Sequence, residues 1–316
     1  MSIKSGVYPT MITPFNDNKE IDYSALEQFV EWLIVHGVQG LFAVCQSSEM
    51  FALSLEERVQ LARFVAERAA GRVQVIASGH ISDGAANQVE EIRRISSTGI
   101  DAFVLVSNRL AAAEESDDVW KRNAEKILSS VPDVAFGIYE CPYPYKRLLS
   151  PDLLKWCAET GRFLFLKDTC CEPEQLEAKL NAVRGTPLKL FNANAATLLK
   201  SLDLGASGYS GVMANFHPDL YVRLLELQRS DPDSAARLQD FLGLASALER
   251  QPYPLNAKYH LLLEGLPIGL QGRSGGNIGL SASMQLEIEQ LRGMEQQVRA
   301  MFHPSHPMIG GVSHEK

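Results

Sequence analysis

The chain has 316 residues, of which 46% are hydrophobic and 22% charged, a composition typical of a globular protein with a large core. Its formal net charge is −8 and it has no basic block, which argues against a protein that binds nucleic acids or anionic membranes. No apolar stretch reaches the roughly 18 residues that span a bilayer, and the N-terminus lacks the apolar core of a signal peptide. We therefore expect a cytoplasmic protein with a small-molecule substrate and neither nucleic-acid nor membrane partners.

The cysteines support the same location. Their number is odd, and no two of them have the C-x-x-C spacing of a zinc or redox site. The five are Cys45, Cys141, Cys157, Cys170 and Cys171. We expect reduced thiols rather than a disulfide framework.

The first half of the chain alternates short apolar runs with amphipathic segments. The runs predict strands at residues 7–13, 40–44, 73–78 and 102–106. Between and after them, the spacing of apolar residues predicts helices that begin near Asp22, Ser54, Asp83 and Asp117. Ser54 and Glu57 have the spacing of a capping box, which fixes the start of the second helix.

The alternation continues to about residue 211. Strands are predicted at residues 134–139, 163–167, 189–191 and 208–211, with helices from Ser150-Pro151 and over 173–183 and 195–204. Eight strand–helix units in this length predict a TIM (β/α)8 barrel. The alternative, an open doubly wound sheet, is disfavoured because no G-x-G-x-x-G follows an early strand.

Residues from 216 onward contain only helical patterns. They fall at 216–227, 233–248, 256–263 and 284–301. We expect a barrel over residues 1–225, a C-terminal helical segment over 226–302 packed on it, and a mobile tail over 303–316. The glycine-rich stretch 272–277 lacks the lysine and preceding strand of a phosphate loop, so it is interpreted as a turn.

Two of the apolar runs end in a side chain that can do chemistry. Lys167 follows the run 163–166, and Tyr139 follows the run 134–138. Burial at such a strand end would lower the pKa of the amine and free it as a nucleophile. A single lysine or tyrosine in this position is more often solvated or simply packed, and that alternative stays open. Together, an amine and a phenol at neighbouring strand ends favour imine chemistry on a small carbonyl compound.

A polar loop, Cys45-Gln46-Ser47-Ser48-Glu49, follows the second predicted strand. Hydroxyl and backbone N–H groups ahead of a helix can bind a carboxylate, although such a loop can equally be a helix cap. His80 is the only histidine expected near this end of the barrel. One histidine without acidic partners does not make a metal site.

These motifs resemble a known family. The segments Met11-Ile12-Thr13-Pro14-Phe15 and Leu53-Ser54-Leu55-Glu56-Glu57-Arg58, with Tyr139-x-x-Pro142 and then Lys167-Asp168, are similar to those of the dihydrodipicolinate synthase / N-acetylneuraminate lyase family. Members of that family are Schiff-base-forming class I pyruvate aldolases on a TIM barrel. The resemblance covers most of the chain.

The resemblance implies a role for each matching residue. Lys167 would form the imine with pyruvate or a related 2-oxo acid, and Tyr139 would carry protons to and from the oxygen. Ser47 and Ser48 fall where the family binds the substrate carboxylate. It also implies a lyase, either an aldolase or a dehydratase, without metal or other cofactor, assembled as a homo-oligomer, either a tetramer or a dimer.

The chain also departs from the family pattern. The carboxylate loop has Cys45 and Ser48 in place of glycines and Gln46 in place of a hydroxyl residue, and residues 106–110 lack the synthase's relay tyrosine. The second substrate is therefore expected to differ, and a sugar-acid-derived 2-oxo acid is our hypothesis. Side chains that could bind the substrate beyond the loop are Arg109, Asn194 and Ser210, with Lys146 or Arg147 as further candidates.

Two other functions remain open on the sequence. The altered loop and the missing tyrosine are also compatible with a non-catalytic 2-oxo-acid-binding or regulatory protein on the same barrel. A metal-dependent aldolase is the third possibility, and it would be sensitive to chelators.

Overall fold

The computed structural model describes residues 2–274 and 279–302. Its centre is a sheet of eight parallel strands in the order β1-β8-β7-β6-β5-β4-β3-β2. The strands are β1 (Gly6–Val7), β2 (Gly40–Phe42), β3 (Gln74–Ala77), β4 (Ala102–Val106), β5 (Phe136–Tyr139), β6 (Phe163–Asp168), β7 (Lys189–Asn192) and β8 (Gly208–Tyr209). A parallel bridge between Thr10 and Phe42 joins the two ends of this order and closes the barrel. The predicted TIM barrel is thus confirmed, and the open sheet is excluded.

A helix follows each strand on the outside of the barrel. The eight are α1 (Tyr23–Val35), α2 (Leu55–Ala69), α3 (Ala85–Ser96), α4 (Asp117–Ser130), α5 (Pro151–Glu159), α6 (Pro173–Val183), α7 (Leu198–Asp203) and α8 (Pro218–Ser230). The helix starts obey local rules, since Asp22 accepts a hydrogen bond from the Ala25 N–H and Ser54 and Glu57 form the expected capping box. None of the described helices is long and apolar enough to cross a membrane.

The first strand is much shorter than predicted. It ends at Val7 instead of running to Thr13. Pro9 and Pro14 lack the N–H that a continuous ladder needs, which leaves only the isolated bridge at Thr10.

The C-terminal segment adds α9 (Pro232–Ala245), α10 (Leu255–Leu263) and α11 (Ala282–Phe302). The predicted boundary at residue 225 falls inside α8, which runs to Ser230. The division into a barrel and a C-terminal segment stays a prediction. Residues 303–316, expected as a mobile tail, and residues 275–277 of the predicted turn lie outside the described residues.

Aromatic rings fill the barrel interior beneath the ends of β5 and β6. Phe165 stacks on Phe191 with ring centroids 4.5 Å apart, and Tyr8 packs edge-on against Phe191 at 4.9 Å. Phe42 contacts both Phe165 and Tyr139 at 6.2 and 6.0 Å. These buried rings form an apolar floor, so any polar group at the strand ends above it is desolvated from below.

Candidate active site at the carboxyl end of the barrel

Lys167 and Tyr139 lie side by side at the carboxyl ends of two paired strands. The register of β5 and β6 places Tyr139 directly opposite Lys167. The Lys167 Nζ is 4.4 Å from the centroid of the Tyr139 ring, and each residue is only 4% exposed. The structure therefore brings together the amine and the phenol that the sequence singled out.

The surroundings of Lys167 favour the neutral amine. Burial lowers its pKa, and the nearby Cys45, Cys141 and Glu249 oppose that shift only in part. Within residues 2–274 and 279–302, no carboxylate forms a salt bridge with it. Its aromatic partner is the face of the Tyr139 ring, which stabilises a cation less than a carboxylate would. The lowered pKa increases the share of the neutral amine, which is the nucleophilic form.

Tyr139 has the opposite character. Burial raises the pKa of its phenol well above the ordinary value, so the hydroxyl keeps its proton at neutral pH. That hydroxyl donates a hydrogen bond of 3.1 Å to Oε1 of Gln46. Gln46 was noted in the sequence only as a departure from the family loop. In the structure it orients the phenol, and nothing in its local sequence signals that role.

The loop 45–49 is held rigidly at both ends. The Ser48 hydroxyl accepts a hydrogen bond from the Cys45 N–H at 2.6 Å and donates one to the Cys45 carbonyl at 2.7 Å. At the other end, the buried Glu49 carboxylate accepts from Lys258 at 3.3 Å and from the Arg273 and Ser274 N–H groups, both at 2.6 Å. The side-chain hydroxyl of Ser48 is thus used within the loop.

Ser47 is the loop hydroxyl that faces other polar groups. Its Oγ lies 3.2 Å from Oγ1 of Thr10, and both hydroxyls contact the phenol of Tyr253. The N–H groups of Ser48 and Ser47 approach the sulfur of Cys45, the side chain that stands where the family has a glycine. A carboxylate bound by these N–H groups would therefore lie against the Cys45 side chain, and the carboxylate site itself stays a prediction.

The other predicted binding residues differ in how their polar atoms are used. Asn194 Oδ1 accepts from the Thr197 N–H at 3.1 Å, just before the start of α7. The Ser210 hydroxyl donates to the Tyr8 carbonyl at 2.9 Å, across the seam between β8 and β1. A substrate would therefore meet the side-chain N–H groups of Asn194 and the Ser210 oxygen as an acceptor.

The basic candidates are paired as well. Arg109 forms an ion pair of 2.6 Å with Asp83, whose side chain is 91% exposed, and its guanidinium lies over the Phe51 ring. Lys146 donates to the Thr169 carbonyl at 2.8 Å, and Arg147 binds the Ala112 carbonyl at 2.6 Å. Arg109 has the weakest partner of the three, because solvent competes for an exposed aspartate.

Glu249 is a carboxylate at the barrel mouth that the sequence analysis did not identify. It lies in the 3₁₀ turn Ser246–Arg250, between α9 and α10. Although the residue is open to solvent, partial burial of its carboxyl raises the pKa of Glu249 to about 7. The positive charge of Lys167 opposes that shift. The charge of Glu249 also raises the pKa of Tyr253 and of Lys167, so the carboxyl acts on the same end of the barrel as the Lys167 amine.

His80 lies in the core behind the site. Its Nδ1 accepts a hydrogen bond from the Val106 N–H at 3.1 Å, and burial lowers its pKa to about 4. Among the described residues, the one cluster with metal-ligand spacing is His260, Glu264 and Glu295, which joins α10 and α11 away from Lys167.

Comparison with known proteins assigns the family. A sequence profile described as the Dihydrodipicolinate synthetase family matches residues 4–286, nearly the whole chain. The chain belongs to this family. It is 29% identical to a 4-hydroxy-tetrahydrodipicolinate synthase of Anaplasma marginale (strain Florida) over 268 residues, which cover 83% of this chain and 85% of that protein. Another such synthase, from Methanococcus maripaludis (strain C7), is 26% identical over 269 residues, covering 84% and 90%.

Solved structures of the family have the same fold. One is YagE, a prophage protein of the dihydrodipicolinic acid synthase family from E. coli K12, solved in complex with pyruvate, with a TM-score of 0.83, 24% identity and coverage of 93% and 98%. A catalytic lysine mutant of Ruminococcus gnavus sialic acid aldolase gives a TM-score of 0.84 at 18% identity, with coverage of 94% and 97%. At these identities the two structures establish the barrel.

Membership of the dihydrodipicolinate synthetase family fixes the enzyme class. The protein is a class I lyase that forms a Schiff base with pyruvate or a related 2-oxo acid. The alternative of a non-catalytic binding protein is not favoured, since the family members to which it is similar are enzymes. At identities of 29% and below, the relatives do not identify the second substrate. It has to be inferred from the residues of the site.

Proposed function

We propose that this lyase uses Lys167 as the imine-forming nucleophile and Tyr139 as the proton carrier. The observation that carries the proposal is the position of the Lys167 amine, buried over the Tyr139 ring without a carboxylate partner among the described residues. Among the residues that the structure describes, the other two buried lysines, Lys179 and Lys258, both contact a carboxylate, so neither has a free amine.

The proposed reaction begins at the carbonyl carbon of the 2-oxo acid. The neutral Lys167 amine attacks C2 of the 2-oxo acid, and proton shifts give a carbinolamine. Tyr139 donates its proton to the departing hydroxyl, which leaves as water, and the nitrogen becomes an iminium. In the exchange direction, the resulting phenoxide removes a proton from C3, which gives the enamine and restores the phenol. In the cleavage direction, the phenoxide removes the proton of the aldol hydroxyl at C4. The C3–C4 bond then breaks, its electrons form the enamine, and the other half leaves as an aldehyde. Gln46 holds the phenol in position for both transfers.

The loop 45–49 is the proposed carboxylate site. The Cys45 thiol links the two parts of this site, because the charge of Lys167 and the N–H groups of Ser47 and Ser48 all lower its pKa. Asn194, Arg109 and Ser210 are the proposed side chains for the remainder of the substrate. Of these, Arg109 is best suited to an anionic or hydroxylated end, because its present partner is exposed.

The direct test is chemical trapping. Incubation with pyruvate and borohydride should add the mass of the reduced adduct to the peptide that carries Lys167. Lys167→Arg is the matched control, because it keeps a cation but cannot be deprotonated to a nucleophile. No adduct with pyruvate or with any of a panel of 2-oxo acids would contradict the proposal.

A second test needs no knowledge of the acceptor. Enamine formation exchanges the C3 protons of pyruvate with solvent, so NMR in deuterated water should show loss of the methyl signal. The exchange should require Lys167. Exchange that persists at the wild-type rate in Lys167→Arg would assign the chemistry to another group.

For the second half of the substrate, we propose a sugar-acid-derived 2-oxo acid. Two observations support this substrate class. Residues 106–110 lack the relay tyrosine of the synthases, and the polar side chains of Arg109 and Glu249 lie near the rim. Incubation with a panel of 3-deoxy-2-oxo sugar acids should release pyruvate from at least one of them. Release from none of them, with proton exchange intact, would exclude this substrate class and leave the imine chemistry standing.

We further propose a homo-oligomer, tetramer or dimer, that works in the cytoplasm. The support is the family resemblance together with cysteines that are all unbridged. Light scattering on the purified chain tests the assembly, and a monomer at micromolar concentration would contradict it.

A further inference from the structure

Directly behind the candidate catalytic pair lies a buried cluster of three charges. Lys179 of α6 contacts Oε1 of Glu140 at 2.5 Å and Oδ2 of Asp168 at 2.6 Å. Both carboxylates are fully buried, and Lys179 is 2% exposed. We call Glu140, Asp168 and Lys179 the carboxylate clamp.

The position of the clamp follows from the geometry of a strand. Glu140 comes directly after Tyr139, and Asp168 directly after Lys167. Because successive side chains of a strand point to opposite faces, the catalytic pair faces the barrel interior while the two carboxylates face the helix layer. Lys179 meets them there from α6, on the same helix face as Leu176 and Leu180.

The clamp also organises the loops that follow both strands. Glu140 accepts hydrogen bonds from the N–H groups of Leu149 at 2.8 Å and Thr169 at 3.1 Å. Asp168 accepts one from the Cys170 N–H at 3.0 Å. A single cation thus ties together the two strand ends and the starts of both loops.

The energetics of buried charges point to a positioning role. Replacing a buried ion pair by apolar residues of similar volume is often neutral or stabilising, so the cluster is weak evidence for a stabilising role. Burial alone would lower the pKa of Lys179, but Glu140 and Asp168 outweigh burial and raise it, so the ammonium stays charged between them. The clamp adds a side-chain link between the ends of β5 and β6, just beyond the paired residues Tyr139 and Lys167.

We propose that Lys179 is a positioning residue: by binding Glu140 and Asp168 it holds Tyr139 and Lys167 in the relative position that proton transfer at the imine requires. This inference rests on the proposed function. Lys179 itself touches no substrate, and its effect reaches the chemistry through the backbone of the two strand ends.

The test is a double-mutant cycle on the proton exchange of pyruvate, with the variants Lys179→Met, Tyr139→Phe and both together. Lys179→Met should lower the exchange rate at saturating pyruvate by about 10- to 100-fold, with a much smaller change in KM, because misplacement of a reacting group acts on the chemical step. In the Tyr139→Phe background, Lys179→Met should change the exchange rate by less than about twofold. The Tyr139 hydroxyl, whose position relative to Lys167 the clamp sets, is already absent there. Borohydride should still trap the imine on Lys167 in every variant.

Two further variants keep the test decisive. Where Lys179→Met does not fold, the triple variant Glu140→Gln, Asp168→Asn, Lys179→Met removes the clamp without leaving an unpaired buried charge. Arg299→Met is the matched control, because it breaks an ion pair of 2.7 Å with Asp219 that lies outside the site. It should lower the melting temperature and leave the exchange rate unchanged.

The outcomes separate the two proposals. An adduct on Lys167 together with equal effects of Lys179→Met in both backgrounds, or with a wild-type rate in the clamp variants, overturns the positioning role alone. Absence of both adduct and exchange in the unaltered protein overturns the proposed function and the positioning role together.

Discussion

Two lysines that are equally buried and close together in this fold have opposite properties. Lys167, at the end of β6, lies over an aromatic face, and burial lowers its pKa. Lys179, on α6 behind the same strand, lies between two carboxylates that raise its pKa. The comparison teaches that burial alone does not make a lysine a nucleophile or a structural cation. The partner that it meets decides which of the two it becomes.

The largest expected effect comes from removing the unpaired lysine. Lys167→Met should abolish turnover and pyruvate trapping, and it should raise the free energy of unfolding by on the order of 1 kcal/mol, because a desolvated cation is removed. The depressed pKa gives the pH dependence, since the penalty is full below the folded pKa and disappears as the pH rises toward the unfolded value near 10.4. Urea unfolding at pH 7 and pH 10 measures it. A loss of stability at pH 7 would show that Lys167 is a structural residue.

Tyr139→Phe separates the two contributions of the aromatic partner of Lys167, the ring face and the hydroxyl. The ring face under the ammonium remains, so trapping on Lys167 should persist, while the loss of the hydroxyl should lower kcat by about 10²–10⁴-fold. Steady-state kinetics and mass spectrometry of the borohydride adduct check the two halves separately. A variant with a near-normal kcat would remove the proton-carrier role.

Removing Lys179, the lysine paired with carboxylates, should destabilise the protein, whereas removing Lys167 should stabilise it. Lys179→Met leaves Glu140 and Asp168 buried without their cation, which should lower the free energy of unfolding by about 3–5 kcal/mol. The triple neutral variant of the clamp should recover most of that loss. Urea denaturation of both variants measures it, and equal stabilities would mean that the carboxylates are not charged in the folded protein.

The buried carboxylate of Glu295 tests whether the loss of a paired buried charge generally lowers the free energy of unfolding. Glu295 binds His217 at 2.7 Å and His260 at 2.9 Å, and all three are fully buried. Burial alone would raise the pKa of Glu295, but the two histidines hold it well below its usual range. This stability is present above the unfolded value near 4.3 and is lost as the pH falls through the lower folded value.

Glu295→Gln should therefore cost about 3–5 kcal/mol at pH 7, as at the clamp. It should flatten the acid limb of the stability profile and leave the trapping on Lys167 unchanged. Thermal melts between pH 3 and pH 7 check the profile, and a variant that lost trapping would connect this cluster to the site.

The smallest expected effect lies at the rim. Glu249→Gln removes a negative charge that raises the pKa of Lys167, so that pKa should fall further, by less than about one unit because solvent screens the pair. In the wild type, the carboxyl with its pKa of about 7 should add an inflection near pH 7 to kcat/KM, and the variant should lose it. Profiles of kcat/KM from pH 5 to pH 9 decide this, and identical profiles would place Glu249 outside the reaction.

The sequence by itself determined the barrel and its two central side chains. Alternating apolar runs and helix caps defined the eight units, since these patterns depend on neighbours within a few residues. Lys167 and Tyr139 could be found because each ends a buried run. The sequence signal for Lys179 is weaker. It is a lysine within the apolar stripe of α6, beside Leu176 and Leu180, and this pattern does not reveal its carboxylate partners.

Only the tertiary structure decided which polar groups meet. Gln46 and Tyr139 are far apart in the chain yet share a hydrogen bond, and the Ser210 hydroxyl reaches Tyr8 across the closed barrel. The two buried lysines have their contrasting pKa shifts for the same reason. The energy of a buried charge depends on the atoms within a few ångströms of it, and closure of the barrel brings those atoms from distant parts of the chain.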